Sequence, residues 1–263
     1  MKTRHDAFLH LLGTAAILSG AVLLGAGGQQ PTVAQPPAAG PPSPPARSPV
    51  SRVNPRSAPR GSDVGGFIQR WVILEPVRVA PQLTDSAVQA VVKKEYFPNQ
   101  FTVVPHDGDA VTVGDESLTW HAVDTDAYNV NLFHFAAALN KPTSNVLFWA
   151  VTVVEAPRDM PGLRLAIGSN AASIWWLNGQ EVIGIYNDRQ TVIDDGVSKR
   201  VTLKKGPNVI RAAIVNAGGA TDFCARFLDG DDSPVNGVVV KLDASRHVAS
   251  DLALHARLGT RQR

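Results

Sequence analysis

The sequence predicts a mainly β protein of the sandwich class, and three observations predict it. Short runs of β-branched and aromatic residues recur from Gly66 to Leu242, separated by Gly, Pro, Asn and Asp. Long helical periods do not alternate with them, as a parallel α/β sheet would require. Third, Asn178-Gly179 lies between the apolar runs "ASIWWL" and "QEVIGIY", where a two-residue hairpin needs positive φ at both central positions.

Ahead of that body stand two segments of another kind. Residues 1–28 place Lys2 and Arg4 before the apolar run "LLGTAAILSGAVLLGAG", the order of an export signal. The run is long enough that an uncleaved membrane anchor stays open as the alternative. Residues 29–62 hold 10 of the 19 prolines and almost no large apolar side chain, which predicts a disordered, extended tether. The expected location is therefore secreted or periplasmic, with a membrane tether through the N-terminal segment as a variant. Cys224 is the only cysteine, so no disulfide forms within one chain and the core must carry stability.

Charge narrows the partners. Residues 1–62 carry six Lys or Arg and one Asp, net +5, against 19 Lys or Arg and 22 Asp or Glu beyond, net −3. A mildly acidic body without a basic stripe excludes nucleic acid as an expected partner.

Within the body, "GFIQRWVILEPVRV" (66–79) predicts an opening strand ending at Pro76. "LTDSAVQAVVKKEYF" (83–97) predicts a helix capped by Thr84 or Asp85, with an apolar face of Ala87, Val88, Val91 and Val92, stopped by Pro98. "QFTVVP", "DAVTV" and "LTWHAV" predict short strands, and "VNLFHFAAALN" (130–140) a second short helix. "NVLFWAVTVVEA", "LRLAIGS", "KRVTLKKGPNVIRAAIVNA", "FCARFLD" and "GVVVKL" supply the remaining strands. No linker-like break interrupts residues 63–245, so they are expected to form one domain, followed by a tail at 246–263.

Four elements carry a family resemblance: a strand ending in Gly168-Ser169, the Trp-Leu-Asn-Gly hairpin at 176–179, the Lys-Lys-Gly-x-Asn turn at 204–208, and the Phe-x-x-Arg-Phe strand at 223–227. Together they resemble the galactose-binding-like jelly-roll module attached to glycoside hydrolases and carbohydrate esterases. The resemblance covers roughly Gly66 to Leu242 and implies a non-catalytic module that binds carbohydrate or polysaccharide, or serves a partner enzyme. Modules of this look often carry one structural calcium and no other cofactor. Here the turns "HDGD" (106–109) and "DGDD" (229–232) offer hard oxygen ligands. After Gly168-Ser169, where relatives commonly place acidic residues, this chain has Asn170-Ala171-Ala172.

Proteins of this look are also labelled acetylxylan esterases, an alternative that the residues can be asked to support. There is no Gly-x-Ser-x-Gly pentad. "VTVGDESLTW" approaches a Gly-Asp-Ser-Leu opening with Glu116 inserted, leaving Ser117 as a weak nucleophile candidate and a hairpin as the simpler reading. His121 and His134, set among apolar residues, are the candidate bases. A structural envelope protein is the third reading.

For a sugar, the expected site residues are Trp176, Asp188, Arg189, Asp194 and Asp195, with Trp120 and Tyr128 beside Asp124, Asp126 and Asn129 as the second group. Trp175 and Trp176 must face opposite sides of their strand. Trp175 is assigned to the core between the sheets. Trp176 is either roofed or a stacking platform. The regular hairpin register puts Tyr186 on the face of Trp175, and only a bulge near Gly184, a residue that often marks one, would bring it round to Trp176.

Overall fold

The computed structural model describes residues 59–241. The expected export segment, most of the tether and the C-terminal tail lie outside the described residues. In chain order the first strands are β1 (Arg60–Gly61), β2 (Arg70–Leu74) and β3 (Val77–Arg78). Helix α1 (Asp85–Lys93) leads to β4 (Ala110–Val113), β5 (Glu116–Asp124) and β6 (Val130–Asn131). Helix α2 (Leu132–Ala138) precedes β7 (Val146–Ala156), β8 (Met160–Ser169), β9 (Ala172–Leu177) and β10 (Gln180–Ile185). β11 (Gly196–Val197), β12 (Val201–Leu203), β13 (Gly206–Asn216), β14 (Asp222–Leu228) and β15 (Val239–Val240) close the series.

The protein is mainly β, as the sequence predicts, and its strands form two antiparallel sheets. The larger runs β10-β9-β13-β7-β2-β5-β4, with β3 and β15 also on β7 and β1 on β15. The smaller runs β11-β8-β14-β6, with β12 on β8. From β7 onward the chain crosses repeatedly between sheets, β8 to the small one, β9 and β10 to the large, β11 and β12 back, then β13 and β14 in turn. This crossing is the connectivity of a jelly roll.

Strand alternation sorts the apolar side chains into two layers. Trp71 of β2, Trp175 of β9 and Phe223 of β14 meet between the sheets, their rings 5.0–6.0 Å apart at steep angles. Both indole N–H groups are satisfied there, Trp71 donating to the Ile68 carbonyl at 2.8 Å and Trp175 to Ser173 Oγ at 3.0 Å. The opposite face of the large sheet holds a second apolar layer of Trp120, Trp149, Ile174 and Trp176, covered by Val88 and Val92 of α1 and by Phe97. The molecule is thus a sandwich with a third, partial layer.

That third layer corrects two readings of the sequence. α1 ends at Lys93, short of Pro98, with Lys94 extended as its C-cap. "QFTVVP" forms no strand. Its carbonyls at Gln100 and Val103 accept from the Arg211 guanidinium of β13, so a side chain rather than a neighbouring strand satisfies this backbone. Arg211 is buried, and burial lowers its pKa to about 10, leaving it charged at neutral pH. At the N-terminal end, β1 pairs with β15, so the folded body reaches back to Arg60, inside the segment expected to be tether.

Candidate ligand-binding cleft

The cleft is built by the hairpin of β9 and β10. Asn178 (φ 50°) and Gly179 (φ 83°) take the positive angles that the tight turn demands. Asn178 is further pinned: its Oδ1 accepts from the Val209 amide at 2.8 Å and its Nδ2 donates to Asn208 Oδ1 at 3.0 Å. Pairing begins regularly, Gln180 with Leu177 and Glu181 with Trp176, and then slips so that Ile183 opposes Trp175. Val182 is the extra residue. A bulge therefore replaces the regular register read from the sequence, two positions before Gly184.

Its consequence is a change of face. Ile185 now pairs with Ser173, on the inner side, and Tyr186 packs against the outer layer that contains Trp176. Tyr186 hydrogen-bonds Gln89 of α1, while burial first, then the charge of Glu181, pushes its phenol above the ordinary tyrosine range.

Beyond Tyr186 the chain loops out to Asp195 and returns along the small sheet. Three ties fix this loop. Thr191 donates to Asp222, Asp194 accepts a two-pronged contact from Arg226, and Arg189 pairs with Asp195. Ser198 anchors the return, its amide donating to the Leu165 carbonyl at 2.8 Å and its Oγ accepting from the Leu165 amide at 2.9 Å. Between the loop and β10 lies a cleft of about 640 Å³, lined by Val182, Gly184, Tyr186, Asn187, Arg189, Asp195, Val197 and Lys199, with Asp85 of α1 at one side.

Of the first group of expected site residues, Arg189 and Asp195 line this cleft together. Asp188 is exposed on the same loop without lining it. Asp194 is turned towards the small sheet by Arg226. Trp176 is 8% exposed, stacked on Trp149 at 5.9 Å and met by Phe101 at 5.8 Å. This corrects the stacking-platform reading: the roof is α1 with the segment after it, and the ring has no open face for a sugar.

The second group does not come together as a site either. Trp120 is fully buried against Phe97. Tyr128 is 40% exposed and leans on Phe67, 5.7 Å away. Asp124 is taken by Arg60 and Arg70, and Asn129 donates to Asp222 at 3.1 Å. Sequence reasoning missed Asp85 and Lys199 as lining residues. The pairing of the loop with α1 is a tertiary fact with no local signal.

The catalytic candidates are equally separate. Ser117 is exposed in the β4–β5 hairpin, opposite Thr112. Four residues along the same strand place His121 roughly 13 Å from it. His121 instead joins a buried carboxylate: Glu75 accepts from Lys141 at 2.9 Å and from the Thr119 amide at 3.2 Å, with His121 Nε2 at 3.4 Å. Burial alone would raise the Glu75 pKa, but these bonds outweigh it and hold the carboxyl at about 2. His134 caps nothing itself; its amide is the donor to the helix-capping Asn131.

In the two acidic turns, carboxylates face backbone donors. Asp109 accepts from the His106 amide, and Asp229 Oδ1 accepts from the amides of Asp231 and Ser233 at 2.9 Å. Asp232 pairs with Arg164. Among the described residues no three His, Cys, Asp or Glu side chains gather into a group that could hold a metal.

No family model matches the chain, and no curated protein matches it. Among solved structures it is similar to the PA14 sugar-binding domain of an RTX adhesin, at 12% identity and TM-score 0.34, over 65% of this chain and 96% of that one. The PA14 domain of the MpAFP antifreeze protein gives 12% identity and TM-score 0.38, over 67% and 93%. A β-glucosidase from Kluyveromyces marxianus gives 18% identity and TM-score 0.35, over 47% of this chain and 16% of that one. At such scores these likenesses carry no argument about function.

Proposed function

We propose that the chain is an exported, non-catalytic β-sandwich module that binds carbohydrate, carried on a proline-rich tether and placed near polysaccharide on behalf of a partner enzyme. One observation carries the reading: the 640 Å³ cleft presents an amide (Asn187), a guanidinium–carboxylate pair (Arg189 with Asp195), an ammonium (Lys199) and a phenol (Tyr186) around apolar patches at Val182 and Val197. Pyranoses ask for that mixture. Their hydroxyls need planar donors and acceptors held in fixed geometry, and their C–H faces need apolar contact. The pair and the Ser198 anchor hold the donors in place before a ligand arrives, which lowers the ordering cost of binding.

A glycan array run beside an acetyl-ester hydrolysis assay tests the proposal. The purified chain is expected to retain a glycan and to release no acetate. Asn187→Ala and Arg189→Ala should each weaken retention about tenfold, or about 1.4 kcal/mol. Acetate release that persists through purification would favour the acetylxylan-esterase alternative. A folded chain that retains no glycan would remove the carbohydrate reading altogether.

A further inference from the structure

The cleft continues beyond Tyr186. A second cleft of about 530 Å³, lined by Gln180, Glu181, Arg200 and Thr202 among others, shares Val182 and Lys199 with the first. The division is orderly. On β10, Gln180 and Glu181 line one cleft and Ile183 to Asn187 the other, with Val182 common to both. On the facing wall, Arg200 to Thr202 line one and Asp195 to Val197 the other, with Lys199 common. The two clefts are therefore one trough, walled by β10 at the edge of the large sheet and by the β11–β12 segment at the edge of the small one.

Two properties of the trough select its occupant. From Gln180 to Asn187 the wall extends about 20 Å, the length of roughly four pyranose rings in a chain. Its charge is balanced, three cations (Arg189, Lys199 and Arg200) lining it with three carboxylates (Asp85, Glu181 and Asp195). Gly196 closes the floor: a Cβ there would come within 3.1 Å of side chains of both Ile167 and Ile185, which packs the two sheet edges tightly beneath the trough. The β10 edge above is bulged at Val182, and among the described residues β10 pairs only with β9. A bulged edge is a poor template for a regular added strand, which disfavours an extended peptide as the occupant.

Resting on the carbohydrate reading, we infer that the trough binds an uncharged polysaccharide along its length, across about four sugar units, rather than gripping a chain end. A terminal sugar would fill one cleft and leave the other without a role. A uronic-acid chain would meet as many carboxylates as cations.

The test is titration of the full chain with ladders of neutral cello- and xylo-oligosaccharides from one unit to six, beside an oligogalacturonate ladder. Affinity for a neutral ladder is expected to rise at least tenfold from the disaccharide to about the tetrasaccharide and then to level off, as a wall of about 20 Å requires. Blocking the non-reducing end of the hexasaccharide should leave its affinity unchanged. Gln180→Ala and Thr202→Ala should weaken the hexasaccharide severalfold and leave the disaccharide as it is in wild type, with melting temperatures unchanged. Equal affinity for one and six units, loss of binding on blocking the chain end, or preference for the oligogalacturonate would each overturn this inference while leaving carbohydrate binding intact. Binding of no glycan by a folded chain would overturn both.

Discussion

Tyr186 lays its phenol directly over Gly184, two residues earlier on the same edge strand: a Cβ at Gly184 would stand 2.6 Å from the Tyr186 ring carbon that bears the hydroxyl. The bulge at Val182 brings Tyr186 to this face, and the missing side chain at Gly184 lets it lie down there. Gly184→Ala should therefore keep the fold, because a ring tip can swing aside, while breaking the Tyr186–Gln89 bond. The expected loss is about 1 kcal/mol in urea denaturation. Loss of burial, the largest cause of the raised value, should outweigh loss of the Gln89 bond, which lowers it, so the Tyr186 phenol should titrate closer to the ordinary tyrosine value by ultraviolet absorbance; an unchanged titration would show that the ring had not moved.

Glu75 makes stability depend on acid. Its carboxyl is held at about 2 in the folded chain against 4.5 as the reference value, so the folded state favours the ionised form. That contribution is complete above pH 4.5 and is lost as pH falls towards 2. Roughly 3 kcal/mol is at stake, at 1.36 kcal/mol per unit. Glu75→Gln should be less stable than wild type at pH 7, where Lys141 loses its partner, and the two should converge near pH 2 in thermal melts. A constant gap across that range would place the acid sensitivity elsewhere.

How much of this was legible beforehand depends on whether the signal was local. The Asn178-Gly179 turn, the inner position of Trp175 and the α1 cap at Thr84 all follow from dihedral preferences and alternation, which act over a few residues. The possibility of a bulge could be read from Tyr186 and Gly184, but its place at Val182 could not, because that is decided by how Ile183 and Ile185 fit against the small sheet. From sequence alone, Trp176 stays open between a roofed ring and a platform for a similar reason. Its cover comes from residues 88–101, some eighty positions away, and "QFTVVP" looks like a strand until Arg211 is seen to occupy its carbonyls. Arg189 and Asp195 were singled out because polar residues clustered after the hairpin, whereas Asp85 and Lys199 reach the cleft only through tertiary packing.

Ser117 offers a simple check on chemistry. It stands exposed on a hairpin, with Thr112 opposite and His121 four residues along the strand. A serine without a base in reach is not an activated nucleophile. Ser117→Ala should leave any hydrolysis of an acetyl ester by the purified chain unchanged, as measured by acetate release. A fall of about a hundredfold or more in a folded variant would mark Ser117 as the nucleophile after all.

The roof over Trp176 yields the last prediction, because two variants should fail there in different ways. Trp176→Ala removes a ring packed between Trp149 and Phe101, so the loss is one of core volume and is expected to cost about 3–5 kcal/mol. Arg211→Met leaves the rings in place but withdraws the donors that hold the carbonyls of Gln100 and Val103. Replacing a buried cation with an apolar chain recovers some desolvation, yet one buried and one part-buried acceptor lose their partner, and the balance should be a net loss of about 1–3 kcal/mol. The segment 94–105 should then open locally before the sandwich unfolds. Limited proteolysis reads the difference: Arg211→Met is expected to be cut first within 94–105, with Trp176 emission shifted to the red, whereas Trp176→Ala should lose protection throughout. If Arg211→Met resists protease there as wild type does, the guanidinium is not what holds the roof, and the aromatic contacts of Phe97 and Phe101 suffice.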